Sequence, residues 1–188
     1  GQGAQKAGMG KDFYENSEAA RSFFDNAQEI LDFDLKEMCF GEHEELNLTE
    51  YTQPCMVSVC LAIVQELKKR GINPDITAGL SLGEYAAVAA AGGMNELDAI
   101  KLVRRRGILM QSTVPAGEGA MAAVLGLDAK KIEEILESFE NVWIANYNCP
   151  GQIVITGLTN EVKQASLALK EAGAKRVVEL KVSGPFHS

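Results

Sequence analysis

Ile76-Thr77-Ala78-Gly79-Leu80-Ser81-Leu82-Gly83-Glu84 joins a short strand-like segment to an alanine-rich helix with almost nothing between them. Its centre, Gly79-Leu80-Ser81-Leu82-Gly83, matches G-x-S-x-G, the turn known as a nucleophile elbow. Glycines are expected on both sides of the serine, because a strand turning abruptly into a helix leaves no room for Cβ atoms there. Asn73-Pro74 starts the segment with a turn, and Ile76 to Ala78 reads as a buried strand ending at Gly79. The helix after it runs from about Gly83 to Ala91 and stops at Gly92-Gly93. Strand, tight turn and helix in that order indicate an α/β layer packing.

Working outward, Asn95 caps a second helix, with Asp98 three residues on, that continues to about Ser112. Upstream, Lys11 to Leu31 reads as a polar-faced helix and the acidic stretch Gly41 to Glu50 as surface. Thr52 to Arg70 is a stronger helix. It has Pro54 in its first turn, apolar Val57, Leu61, Val64 and Leu67 spaced by three or four, Lys68 to Arg70 at its end and Gly71 beyond. From Gly117 the pattern changes. Met121 to Leu125 reads as a strand, Ala129 to Phe139 as a helix, Val142 to Tyr147 and Gln152 to Thr156 as strands, Asn160 to Ala172 as a helix and Arg176 to Val182 as a strand. That order, βαββαβ, is the split βαβ pattern of ferredoxin-like domains. Val114-Pro115-Ala116-Gly117 and Ser183-Gly184-Pro185 look like the connections into and out of an inserted subdomain.

Composition narrows the function classes. The chain has 188 residues, 18 Lys+Arg against 26 Asp+Glu and a formal charge of -8, which disfavours nucleic acid as the main partner. With 46% hydrophobic and 23% charged residues it can bury a sizeable core, so disorder is excluded as the main state. No apolar run has the roughly 18 to 20 residues a membrane helix needs, so a soluble, cytoplasmic protein is expected. Gly1-Gln2-Gly3-Ala4-Gln5 lacks an initiator Met, a basic region and an apolar region, so it is not a signal peptide. Cys39, Cys55, Cys60 and Cys149 have neither CxxC spacing nor His partners, which suggests reduced thiols and no metal. The glycines of Gly1 to Gly10 make a weak phosphate loop, with no preceding strand and no Gly-Lys-Ser/Thr ending.

Ser81 is the nucleophile candidate. It should sit at the positive end of the following helix, where the Leu82 N–H can point at an oxyanion. A second donor must come from elsewhere, and the Gly1-Gln2-Gly3 turn is the obvious source. The base should be histidine, and there are two. His43 lies in the charged stretch Gly41-Glu42-His43-Glu44-Glu45 and reads as solvated. His187 follows the last strand of the insertion, where loops carry catalytic groups, so Ser81 Oγ and the His187 ring are expected to lie within proton-transfer reach. In Arg104-Arg105-Arg106, helical spacing puts Arg106 on a stripe with Leu102, Val103, Leu109 and Met110, and Arg104 and Arg105 on one with Lys101. An arginine on an apolar stripe needs an anion, and either a structural or a substrate carboxylate would serve.

Gly1-Gln2-Gly3-Ala4-Gln5, Gly79-Leu80-Ser81-Leu82-Gly83-Glu84-Tyr85, Arg106-Gly107, Asn146-Tyr147-Asn148-Cys149-Pro150-Gly151-Gln152 and Gly184-Pro185-Phe186-His187-Ser188 together resemble the malonyl-CoA:acyl carrier protein transacylase family of fatty acid synthesis. The likeness covers the whole chain in order. It implies an α/β-hydrolase-like three-layer core, incomplete here, over residues 1–117, a ferredoxin-like βαββαβ insertion over 118–182, and a return to the larger subdomain at 183–188. It also implies that Ser81 is acylated, that His187 is its base, that Arg106 holds the malonyl carboxylate and that the N–H groups of Gln2 and Leu82 form the oxyanion hole. Phe186 beside the histidine goes with malonyl rather than branched extenders. Malonyl-CoA and acyl carrier protein are the implied partners of a monomer without cofactor, metal, nucleic acid or membrane.

Two departures from the family pattern stand out. Leu80 replaces the commoner His before the nucleophile, so His187 is left as the imidazole. A core strand before the Gly-Gln-Gly turn and a long segment after the histidine, including the group that orients it, are absent. A partial chain, poorly active or unstable alone, is therefore expected. A polyketide synthase acyltransferase domain, a serine esterase and an inactive carrier-binding module are the alternatives. Lys101, Arg104, Arg105, Lys175, Arg176 and Lys181 are candidates for steering anionic partners.

Overall fold

The computed structural model describes residues 2–115, 117–180, 182 and 184–188. Gly1 of the expected Gly-Gln-Gly turn, Ala116 and Ser183 of the two connections, and Lys181 of the basic set lie outside the described residues. The chain divides into two compact units, Gly1–Leu109 and Met110–Ser188.

The first unit is helical among its described residues. The single helix expected over Lys11 to Leu31 is two, α1 (Lys11–Asn16) and α2 (Glu18–Gln28). Ser17 breaks them. Its extended backbone (φ -127°) ends α1, and its hydroxyl caps α2 by accepting from the Ala20 N–H at 3.1 Å. The same hydroxyl donates to Glu66 Oε2 at 2.5 Å. A further helix, α3 (Leu35–Phe40), is capped by Asp34. The acidic stretch forms a 3-10 turn, Glu44–Asn47, rather than plain surface, and buries Leu46.

The long helix α4 (Thr49–Lys69) begins three residues earlier than expected, so Pro54 is interior instead of first-turn. Its stripe buries Val57 and Leu61 but leaves Leu67 38% exposed. Then come α5 (Leu82–Ala90) and α6 (Glu96–Thr113), the latter capped by Asn95, whose Oδ1 accepts from the N–H groups of Leu97 and Asp98. Phe24, Leu35, Val57, Leu61, Ile100 and Val103 fill the core of this unit. Ile76 to Ala78, expected as a buried strand, is a bend followed by irregular chain, and Ile76 is 88% exposed. A strand exists only with a ladder partner, and none of the described residues of this unit forms one.

The second unit holds β1 (Gly119–Leu125), α7 (Ala129–Leu136), β2 (Val142–Cys149), β3 (Gln152–Leu158), α8 (Thr159–Glu171) and β4 (Arg176–Glu179). They form one four-stranded antiparallel sheet in the order β2-β3-β1-β4. Ala120, Ala122 and Val124 alternate onto one face of β1, as period two requires, and pack with Ile153 and Ile155 against Ile132, Val162, Ala165 and Leu169 of the two helices. No helix of the described residues is long and apolar enough to cross a membrane.

Candidate active site

The elbow is built by one contact. A Cβ on Gly79 would lie 2.1 Å from the carbonyl carbon and oxygen of Gly83, so only glycine lets the chain double back. Gly83, expected to be equally constrained, has no described atom within 4 Å of a Cβ, which corrects the symmetric expectation. Ser81 at the apex has φ 50° and ψ -106°, a left-handed-side backbone that side chains rarely adopt. Leu82 opens α5, so its N–H is among those a helix leaves without an internal acceptor, and its side chain is buried.

Arg106 converges on the serine. Its Nη2 donates to Ser81 Oγ at 3.1 Å, its Nη1 donates to Gln53 Oε1 at 2.9 Å, and its guanidinium carbon stands 5.5 Å from the centre of the Tyr85 ring. Gln53, fully buried on α4, donates its amide to Gln2 Oε1 at 3.2 Å, and Gln2 donates to Thr49 Oγ1 at 3.0 Å. A polar chain thus runs from Ser81 through Arg106 and Gln53 to Gln2. Sequence reasoning missed Gln53, Thr49 and Tyr85. The available signal was a glutamine and two threonines at Thr49, Thr52 and Gln53, spaced to face inward at the start of an otherwise apolar helix.

The two neighbouring arginines divide differently from the expected stripes. Arg105 is exposed, but Arg104 has a side chain only 12% exposed, so it is no part of a solvated basic face. It holds Asp32 through two hydrogen bonds of 2.9 Å and Glu50 through its carboxylate at 3.2 Å, and lies against the rings of Phe33 and Tyr51. The anions that draw it in stand 72 and 54 residues away, beyond the reach of helix periodicity. Its hydrogen bond drives the Asp32 carboxyl below its ordinary value of 3.8, against a smaller opposing effect of burial. Leu102 and Leu109, expected on the inward stripe with Arg106, are 45% and 50% exposed; Ala99, Ile100, Val103 and Gly107 form the buried face.

His187 and Phe186 belong to the second unit, where a Cβ on Gly119 would come within 2.1 Å of Pro185 Cδ, so β1 fixes the start of their loop. His187 is exposed and has φ 62°. His43, expected to be solvated, is instead only partly exposed and contacts Glu37 Oε1 at 3.0 Å. Among the described residues no group of three or more His, Cys, Asp or Glu could hold a metal ion. The four cysteines are unbridged, Cys39 and Cys55 buried, Cys60 and Cys149 exposed.

Residues 1–188 match the family described as the acyl transferase domain. Among curated proteins, the malonyl CoA-acyl carrier protein transacylase of Bacillus subtilis (strain 168) is 49% identical over 193 aligned residues, covering 100% of this chain and 61% of that protein. Among solved structures, the malonyl CoA-acyl carrier protein transacylase from Clostridium perfringens superposes with a TM-score of 0.92 at 44% identity, covering 100% of this chain and 60% of that one. A malonyl-transacylase solved in complex with a type II PKS acyl-carrier protein gives a TM-score of 0.94 at 40% identity, covering 98% and 62%. The chain therefore spans about three-fifths of the length of the relatives it matches.

Proposed function

Because the chain belongs to the acyl transferase domain family, we propose that it carries the nucleophile and the acyl-selecting cation of a transferase that moves a malonyl group from malonyl-CoA to the phosphopantetheine thiol of acyl carrier protein. The observation that carries this is the 3.1 Å hydrogen bond from Arg106 Nη2 to Ser81 Oγ. A guanidinium fork one hydrogen bond from an acyl acceptor suits an acyl group ending in a carboxylate.

In the ping-pong cycle, His187 takes the Ser81 proton as Oγ attacks the thioester carbonyl. The oxyanion is met by the N–H groups of Leu82 and Gln2, and the C–S bond breaks to release CoA, which leaves with the proton. The carrier thiol then gives its proton to His187, its sulfur attacks the malonyl-serine ester, and Ser81 Oγ recovers the proton as it departs. During both halves Arg106 exchanges its bond to Ser81 for the malonyl carboxylate, with Gln53 holding the guanidinium from behind. Phe186 beside the base limits the acyl group to an unbranched one.

For the architecture, we read the segment 76–78 and the elbow as part of an α/β-hydrolase-like three-layer core, incomplete within residues 1–117. The strand order β2-β3-β1-β4 with two helices on one face supports a ferredoxin-like insertion over 118–182, followed by a return at 183–188. A cytoplasmic monomer fits the negative charge and the free thiols.

The test is mass spectrometry of the full-length protein after brief exposure to malonyl-CoA. A malonyl ester on the peptide containing Ser81, discharged by holo acyl carrier protein, is expected. Free malonate with no carrier-bound product would replace this reading with a hydrolase.

A further inference from the structure

Pro54 removes one hydrogen bond from α4. Proline has no N–H, and its ring pushes away the carbonyl four residues earlier, here that of Glu50. That carbonyl is not left to water. Arg104 Nη1 donates to it at 2.7 Å, from a different helix. The other guanidinium nitrogens hold Asp32 as a fork, and the ring centres of Tyr51 and Phe33 lie 4.8 and 5.1 Å from its central carbon.

At the same turn α6 packs closely on α4. A Cβ on Gly107 would lie 2.7 Å from the Thr49 carbonyl oxygen and 2.8 Å from Glu50 Cα. Between Arg104 and Gly107 stands Arg106, and its partner Gln53 directly precedes Pro54. The register of α6 on α4 at this crossing therefore sets how far Arg106 reaches toward Ser81.

We propose that Arg104 is a positioning residue: it replaces across the helix pair the hydrogen bond that Pro54 deletes, and thereby holds Arg106 at Ser81. The inference rests on the proposed role of Arg106 in holding the malonyl carboxylate. Asp32 is 66% exposed, so its carboxylate returns to water when the cation is lost, which limits the cost in stability. No apolar residue, however, can donate to the Glu50 carbonyl. The effect of losing Arg104 should accordingly fall on acyl selectivity more than on folding.

The experiment uses the full-length protein and compares kcat/KM for malonyl and acetyl transfer, with Tm recorded alongside. Arg104→Met is expected to lower malonyl transfer about tenfold and acetyl transfer less than about twofold, the loss of one charge-assisted contact felt only through the carboxylate. Pro54→Ala restores an N–H to α4 but not the contact between the helices, so the double variant should regain stability while the loss of selectivity persists. Arg104→Lys, which keeps the charge but not the planar fork, should fall between. Equal losses for both acyl groups, or full recovery of the ratio on adding Pro54→Ala, would overturn the proposal and leave Arg104 structural. Should Arg104→Met not fold, Asp32→Asn loosens the fork with the side-chain shape kept and must shift the same ratio; an unchanged ratio then overturns the proposal. Arg106→Ala in the same assay separates the two claims. If it leaves the ratio unchanged, the role of Arg106 itself fails; if it collapses the ratio and Arg104→Met does not, only the role of Arg104 fails.

Discussion

Arg106 Nη2 donates a hydrogen bond to Ser81 Oγ over 3.1 Å, so cation and nucleophile occupy one site before any substrate arrives. Replacing Arg106 by Ala should lower malonyl transfer by about 10²-fold or more while acetyl transfer changes little, since the lost pair is a few kcal/mol only where the acyl group carries a carboxylate. Parallel kinetics with both thioesters check this, and equal losses would make the arginine structural.

Gln53→Leu should strand two partners at once, Arg106 Nη1 and Gln2 Oε1. A cost of about 1–3 kcal/mol is expected from unsatisfied polar groups. Denaturant titration measures it, and malonyl transfer should fall along with it because the guanidinium loses its rear support.

The elbow glycines should respond unequally. Gly79→Ala drives a Cβ into the backbone of Gly83 and should prevent the serine from being acylated at all. Gly83→Ala meets no described atom and should retain measurable acylation by malonyl-CoA, read by mass spectrometry. Equal loss in both would assign the second glycine a steric role as well.

Asp32 links the Arg104 cluster to pH. Its folded pKa is depressed from 3.8, so the ionised carboxylate stabilises the fold above that value, and the contribution disappears as the pH falls through the lower folded value. Urea melts across a pH series should show the parent protein losing more stability than Asp32→Asn as the pH falls below 3.8. Because Asp32 is 66% exposed, the difference should be small and should shrink with added salt.

What sequence could reveal followed the range of each signal. The alternation Ala120, Ala122, Val124 and the spacing Val162, Ala165, Leu169 are local, and the βαββαβ order follows from them. The elbow is also local, which is why Ser81 and its glycines stand out. Arg104 and Arg106 could not be separated correctly by helix periodicity, because what distinguishes them is an aspartate in a loop and a carbonyl freed by a proline in another helix. Gln53 carries no motif. Its importance lies in being buried between two polar partners, one of which is 51 residues earlier. The stretch 76–78 has the residues of a strand but no described neighbour to pair with, and composition alone does not report partners.

The backbone of Ser81 has a thermodynamic consequence. Holding a residue with a Cβ at φ 50° and ψ -106° costs about 1–3 kcal/mol. Ser81→Ala keeps that cost and Ser81→Gly relieves it, and both lose the hydroxyl equally. Glycine should therefore be the more heat-resistant of two dead proteins, even after the roughly 0.5–1 kcal/mol its looser unfolded chain takes back. That inversion of the usual ranking would mean that the molecule keeps its reactive oxygen raised by leaning against its own folding equilibrium.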